Sequence, residues 1–462
     1  MKRKLVAGLL TAALAIGTLA GCGNSNEPKE NAASGGSTGT TDTGAADAGT
    51  QQADSTEGEA EQSQSGEREK VVFWYSHTNE EGKVFEEAIK AFNESQDKYE
   101  VEGLSVMDKQ KIIVALAGSD APDVVEVSNQ DILSYANSGL VESVTDLAAA
   151  DGYDLGSIYA AQALEANAVN DVVYGVPFAS QIIQMFYNKD ILEEIGYSEP
   201  PKTMEELYEM AEKATEVDAD GNISRLGYPL FPLASARQEL IYAFGGRWWS
   251  EDGTTLTPDD PLILDSLNMN MKFREKYGVE KVQAFVASAN TNRYTENDMF
   301  FAGKQLFRFD GPWLATMAAD WGPDVNYGVA LMPGTEANPD LLGSSRYETN
   351  SLGIPVVANN KEGAWEFAKF FTNSQATKDT LMGIGNLPTT LELYEDADIL
   401  AMPNFEVFVE ALKTENGVQY PKIADLAKYT SLIEEYLDYV YNGMKTPEEA
   451  MAELAEQAQM LQ

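Results

Sequence analysis

Between Lys70 and Ser128 the sequence alternates between short apolar, β-branched stretches and longer amphipathic ones. "KVVFWYS" reads as a buried strand. "TNEEGKVFEEAIKAFNESQ" places Val84, Phe85, Ile89 and Phe92 on one face of a helix. "YEVEGLSV" is a second strand, and "KQKIIVALAGSDAPDVVEVS" gives a helix, a proline turn and a third strand. Strand and helix in alternation predict a parallel sheet with helices on its faces. The same texture returns in "VYGVPFAS", "MFYNKDILEEIG", "QLFRFDGPW", "VNYGVALMP", "LGIPVVA" and "EGAWEFAKFFT". No short fixed period repeats, which argues against a solenoid. At 462 residues the chain is too long for one ordinary domain, so two lobes are expected.

The amino terminus reads differently. Lys2, Arg3 and Lys4 precede the apolar run Leu5 to Ala20, which is short for a membrane span. "LAGC", Leu19 to Cys22, then resembles the lipobox of bacterial lipoprotein precursors. That resemblance implies a signal peptide over 1–21, cleavage before Cys22 and lipidation of its thiol. An ordinary secretory signal with an accidental cysteine is the alternative. Cys22 is the single cysteine, so no disulfide and no cysteine-ligated metal is expected in the body. From Asn24 to about Glu69 the chain is rich in Gly, Ser, Thr, Ala and acids without aromatic residues, a composition that predicts a flexible tether over 22–69. A doubly acylated Cys22 would hold such a protein on the outer face of the membrane. A long tether suits a cell lacking an outer membrane, with a periplasmic lipoprotein as the other reading.

Charge and composition exclude several function classes. The net charge of -42 argues against a nucleic-acid partner, which needs a basic face. One histidine, His77, gives little support to a histidine metal site or a Ser-His-Asp triad. "DADGN", Asp218 to Asn222, lacks the downstream acid of a calcium loop and reads as a plain turn. Thr203 with Glu206, and Thr446 with Glu449, have the spacing of helix capping boxes. Trp248 and Trp249 are adjacent, so at most one can face a cleft from a strand, and packing is expected for both. In "QLFRFDGPWLATMA" an extended segment ends in Asp-Gly-Pro and a helix opens near Trp313. Strand ends of this kind are where open α/β sheets bind ligands, while a core position is the competing reading.

Six stretches then carry a resemblance to a known family. "APDVVEVSNQDILSYANSGLVESVTDL", "YGVPFASQIIQMFYNKDILEEIGYSEPPKTMEELYEMAEKAT", "FFAGKQLFRFDGPW", "VNYGVALMPGT", "EGAWEFAKFFTNSQATKDTLMGIGNLPTT" and "GMKTPEEAMAEL" occur in order from about Val71 to the carboxyl terminus. Together they resemble the extracellular solute-binding proteins of bacterial ABC importers, in the carbohydrate cluster that includes the maltose-binding proteins. The resemblance implies an α/β, two-lobed, periplasmic-binding-protein-like fold of type II. Each lobe would be a mostly parallel sheet flanked by helices, with the ligand cleft between. Residues 70–179 plus 352–390 would form the first lobe, and 180–351 plus 391–462 the second. The crossings would fall near Phe178 to Gln181, Tyr347 to Leu352 and Leu387 to Leu391. It further implies a monomer that closes on a mono- or oligosaccharide and meets the transmembrane subunits of a permease, without cofactor or metal.

By position in the family, the ligand-contact candidates are Tyr75, Ser76 and His77 after the first strand and Ser128, Asn129 and Gln130 after the third. Gln181 and Glu348 lie at the first two crossings, and Ser235 and Arg237 in a cleft loop. Arg293, Asp310, Trp313 and Tyr429 complete the set. Sugar rings need flat aromatic platforms and side chains with several hydrogen-bonding atoms. Trp313, following "GP" as the family's stacking aromatic does, meets the first need. Two other readings stay open. An anionic solute of the glycerol-phosphate type would use Arg237, Arg293 and Arg308. An exported glycosidase would need a carboxyl pair such as Asp310 and Glu348 across the cleft.

Overall fold

The computed structural model describes residues 68–230, 234–414, 416–423 and 425–461. The signal segment 1–21, Cys22 and the tether up to residue 67 lie outside the described residues. Glu69, expected in the tether, already belongs to the first strand, Glu69–Tyr75.

A six-stranded sheet organises the first lobe. Its order is Leu387–Pro388, Val176–Gln181, Glu348–Gly353, Val124–Ser128, Glu69–Tyr75 and Tyr99–Ser105. The three strands nearest the amino terminus pair in parallel, as the alternation predicts. The other three pairings are antiparallel. A second sheet, ordered Phe307–Asp310, Gln184–Asn188 and Tyr327–Ala330, is antiparallel throughout. The α/β, two-lobed architecture stands, but "mostly parallel" is corrected. Glu348–Gly353 and Gln184–Asn188 arrive from the other lobe, not through a local strand–helix–strand crossover, so nothing imposes the parallel direction. The expected lobe boundaries at 179/180 and 351/352 both fall inside strands of the first sheet. The first passage between sheets is therefore at Ile182 and Ile183, and the second lies before Glu348.

Helix faces follow the apolar spacing. The helix Asn79–Ser95 buries Phe85, Ala88, Ile89 and Phe92. Phe85 meets Phe371 with ring centroids 5.4 Å apart, and Phe178 meets Phe371 at 5.2 Å. Val84, expected on the same face, is only half-buried. It turns toward Gly383 in the helix Gln375–Ile384, where a Cβ would stand 2.7 Å from Val84 Cγ2. In the second lobe the helix Met204–Ala214 sets Leu207, Met210 and Ala211 against Phe273, Phe285, Phe307 and Phe309. A third core gathers Trp248, Trp249, Tyr429, Ile433 and Leu437.

The local motifs resolve individually. Thr446 and Glu449 form a reciprocal capping box, each side chain accepting the other's backbone N–H at 3.2 Å. Thr203 also caps its helix, accepting from Glu206 N at 3.2 Å. The Glu206 carboxylate, however, takes the N–H of Lys202, at 2.7 Å, so that box is only half made. Asp218 Oδ1 accepts from the backbone of Asp220 and Asn222 at 3.0 and 2.8 Å, closing a turn whose Gly221 has φ +75°. Trp248 and Trp249 are buried, as packing requires.

Candidate functional site

Strand register brings most of the candidates to one edge of the first sheet. Val124–Ser128 runs parallel to Glu69–Tyr75, so Ser76, His77, Ser128 and Gln130 all follow carboxyl ends of adjacent strands. Glu348–Gly353 runs the other way, with Asn350 opposite Ser128, and Glu348 therefore emerges at that same edge. Gln181 lies opposite Glu348. The second sheet presents a matching edge. Gln184, just past the first crossing, pairs with Asp310, which places the "DGPW" turn beside the crossing. The crossing segments are tied together, with Ile183 N donating to Ser345 Oγ at 3.0 Å. This is the strand-end position at which α/β sheets accept ligands.

A hollow of about 570 Å³ opens there. Gln130, Gln238, Arg346, Glu348, Tyr420, Thr430, Ser431, Glu434, Glu435 and Asp438 line it. Gln130 Nε2 donates to Thr430 Oγ1 at 3.0 Å, so a helix of the first sheet touches the long helix Leu426–Tyr441 across the hollow. Glu348 pairs with Arg346 Nε at 3.1 Å and accepts from Tyr420 OH at 2.6 Å. The Arg346 guanidinium also lies 5.1 Å from the Tyr420 ring centroid. Behind it the buried Glu239 accepts the Arg346 backbone N–H at 3.1 Å. Burial pushes the Glu239 carboxyl up to about 8, with the nearby Arg346 charge opposing. Glu434 accepts from Gln238 Nε2 at 2.6 Å and, with Asp438, from Arg237. The two guanidiniums are thus occupied by carboxylates. The lining offers more hydrogen-bond acceptors than cations, together with amide and hydroxyl groups, which is the chemistry of a polyhydroxylated solute.

At the end of the first strand lies a second polar group. Glu126, 1% exposed, accepts from Ser76 N at 2.9 Å and from Ser76 Oγ at 2.6 Å. His77 stacks on Phe85 with centroids 4.5 Å apart. Its Nδ1 is 3.1 Å from Glu81 and its Nε2 is 3.8 Å from Glu126. Burial alone would lower the imidazole pKa; the Glu126 and Glu81 carboxylates outweigh it and raise it to about 9. Burial likewise raises Glu126, but His77 and Ser76 overcome that and leave it below the usual range.

On the facing edge, Trp313 opens the helix Trp313–Trp321. It is half-buried and packs against both the first and the second cores, at their boundary. Its Nε1 donates to Tyr294 OH at 2.8 Å.

Four candidates lie in the interior. The Tyr75 ring stacks on Phe85 at 5.0 Å inside the first core, because the strand points this side chain away from the edge. Asn129, fully buried, accepts Thr349 N at 3.2 Å and joins a helix to a strand. Asp310 is fully buried with both oxygens engaged: Oδ1 by Tyr294 OH and Gly311 N, Oδ2 by Arg308. Tyr429 is fully buried and donates to Trp248 O at 2.7 Å. Two others are placed short of the hollow, Ser128 and Arg293. Ser128 caps its helix through Asp131 N at 3.3 Å. Arg293 lies 5.0 Å from the Tyr294 ring centroid. The Ser235 side chain lies outside the described residues. Sequence reasoning missed Arg346, Tyr420 and the helical stripe Thr430, Ser431, Glu434, Glu435 and Asp438. The stripe has a readable signal, polar residues at three- and four-residue spacing on one helix face.

Comparison with known proteins gives the family and the fold. The bacterial extracellular solute-binding protein family matches residues 75–378. A maltotriose-binding protein of Pyrococcus abyssi is 27% identical over 352 residues, covering 74% of this chain and 72% of its own. A galactooligosaccharide-binding protein of Bacillus subtilis is 23% identical, covering 73% and 76%. Among solved structures, CpMnBP1 with mannotriose bound superposes with a TM-score of 0.75 at 21% identity, covering 85% of this chain and 100% of that one. A maltose-bound MalE3 of T. maritima gives 0.70 at 21% identity over 85% and 100%. The fold and the family match lead to one conclusion: this chain belongs to the bacterial extracellular solute-binding proteins.

Proposed function

We propose that the protein captures a neutral mono- or oligosaccharide by closing its two lobes and delivers it to the membrane permease of an ABC importer. The observation that carries this reading is the carboxylate-rich polar hollow between the edge of the first sheet, at Gln130 and Glu348, and the helix Leu426–Tyr441. The relatives named above bind maltotriose, galactooligosaccharide and mannotriose, which supports the same ligand class here. Gln130, Gln181 and Glu348 would contact hydroxyls, joined by Gln238, Ser431 and Glu434, with Ser76 and His77 further along the same edge. Trp313 would stack on a sugar ring. Lipidation of Cys22 would anchor the protein on the outer membrane face. No helix among the described residues is long and apolar enough to cross a membrane.

The two competing readings lose support at specific residues. An anionic ligand would draw on Arg237, Arg293 and Arg308, yet Arg237 is paired with Glu434 and Asp438, Arg308 with Asp298 and Asp310, and Arg293 lies over the Tyr294 ring. A glycosidase needs two carboxyls flanking the bond, and the fully buried Asp310 cannot reach one. The match to a solute-binding family supports a binder over an enzyme.

Thermal unfolding against maltotriose, mannotriose, a galactooligosaccharide and glycerophosphodiesters tests the reading. A saccharide at a hundred times its Kd stabilises by about 2.7 kcal/mol. The shift is expected with a saccharide and is largely lost in Trp313→Ala. A response to phosphodiesters alone would reinstate the anionic reading, and release of reducing sugar would reinstate the enzyme.

A further inference from the structure

The Trp313 indole is not a loosely attached platform. Its only polar atom, Nε1, donates to Tyr294 OH at 2.8 Å. That hydroxyl in turn donates to Asp310 Oδ1 at 2.9 Å. Asp310 Oδ2 accepts from Arg308 Nε at 2.8 Å. Arg308 Nη1 reaches both oxygens of Asp298, at 2.7 and 2.8 Å. Asp298 Oδ2 then accepts the backbone N–H of Tyr294 at 2.9 Å, which closes the chain of bonds into a ring. Asp298, Arg308 and Asp310 are all buried, so the ring is shielded from water.

Tyr294 is held at both ends by this ring, through its N–H and its hydroxyl. Its φ of 56° lies in the left-handed region, which a bulky non-glycine residue adopts only when its surroundings impose it. The indole also has a floor. A Cβ on Gly311 would stand 2.2 Å from Trp313 Cη2 and Cζ3, so the ring lies directly on that glycine. Arg308 and Asp310 belong to the strand Phe307–Asp310, and Gly311 to the turn that follows it and carries Trp313.

We propose that Tyr294 is a positioning residue for ligand binding: its hydroxyl fixes the plane of the Trp313 indole before the solute arrives. The proposal rests on Trp313 being the saccharide platform. A ring already locked loses no rotational freedom when a sugar stacks on it, so the binding affinity is higher than a free indole would give. The buried Asp298, Arg308 and Asp310 hold Tyr294 and do not touch solute. Arg308 bridges the two acids, so each buried carboxylate has a cationic partner behind the platform.

Calorimetry with maltotriose and mannotriose tests this, using the parent, Tyr294→Phe, Trp313→Ala and the double variant. Tyr294→Phe keeps the ring and removes only the hydroxyl. It is expected to weaken binding about twofold to twelvefold, the range for freeing one side-chain rotor. In the Trp313→Ala background the same change is expected to do nothing. The indole N–H proton of Trp313, followed by NMR, is expected to move upfield in Tyr294→Phe as its acceptor disappears. Parent-like affinity in Tyr294→Phe, an unchanged indole resonance, or an equal loss in the Trp313→Ala background would each overturn the positioning role. A parent that binds neither trisaccharide would remove the platform on which the proposal rests and overturn it. Binding untouched by Trp313→Ala would overturn the platform itself.

Discussion

The single histidine of this chain lies between two carboxylates at the end of the first strand. Its imidazole keeps its proton to about 9 in the folded protein, against an ordinary value near 6.5. Between those values the folded state binds a proton that the unfolded chain releases. The stabilisation from His77 is therefore complete below pH 6.5 and is lost as pH rises to about 9, a loss of roughly 3 kcal/mol. Urea unfolding at pH 6 and pH 9 should show that loss, and His77→Gln should flatten it; equal slopes in both proteins would remove the ion pair from the account. Its partner Glu126 was legible in principle. An acid inside the apolar run "DVVEVS" must find a partner when buried, and Ser76 and His77 lie one strand away. Tyr75 and Ser76 also show the limit of reading by position. Adjacent strand residues face opposite ways, so one lies in the core and the other at the edge. Which is which depends on register, and register is a contact between distant segments.

Capping and glycine packing decide the helices locally. Thr446 sits in a complete capping box, and Thr446→Ala should lower stability by about 1 kcal/mol in denaturant unfolding. Gly227 packs against the helix Met204–Ala214, where a Cβ would stand 2.1 Å from Ala211 O. A backbone carbonyl cannot yield as a side chain does. Gly227→Ala should cost about 3 kcal/mol, while Gly156→Ala, whose nearest neighbour is 3.7 Å away, should stay within about 0.5 kcal/mol. Equal midpoints for the two variants would show that the helix gives way freely. Most elements were legible because their apolar periods are long and regular. The exceptions have physical reasons. The strand Glu348–Gly353 ends two residues before Pro355, which lacks the N–H to continue the ladder. The capping box at Thr203 was half wrong because Glu206 had a competing donor, the Lys202 N–H.

For the molecule as a whole, the claim is that the two lobes close over a saccharide at the strand edges. Sequence resemblance supplied the two-lobed plan. It placed the first two crossings inside strands, since their positions are fixed by where each sheet ends. A ligand shifts such a molecule only by binding the closed state better than the open one. The most direct measurement is a distance between the lobes. Spin labels at Lys90, on the first lobe's helix Asn79–Ser95, and at Glu280, on the second lobe's helix Val279–Thr291, would report it in a Cys22→Ser background. Double electron–electron resonance is compared with and without the saccharide that gives the largest thermal shift. A shorter and narrower distance distribution at saturation is the predicted result. An unchanged distribution, with calorimetry proving that the saccharide is bound, would contradict closure.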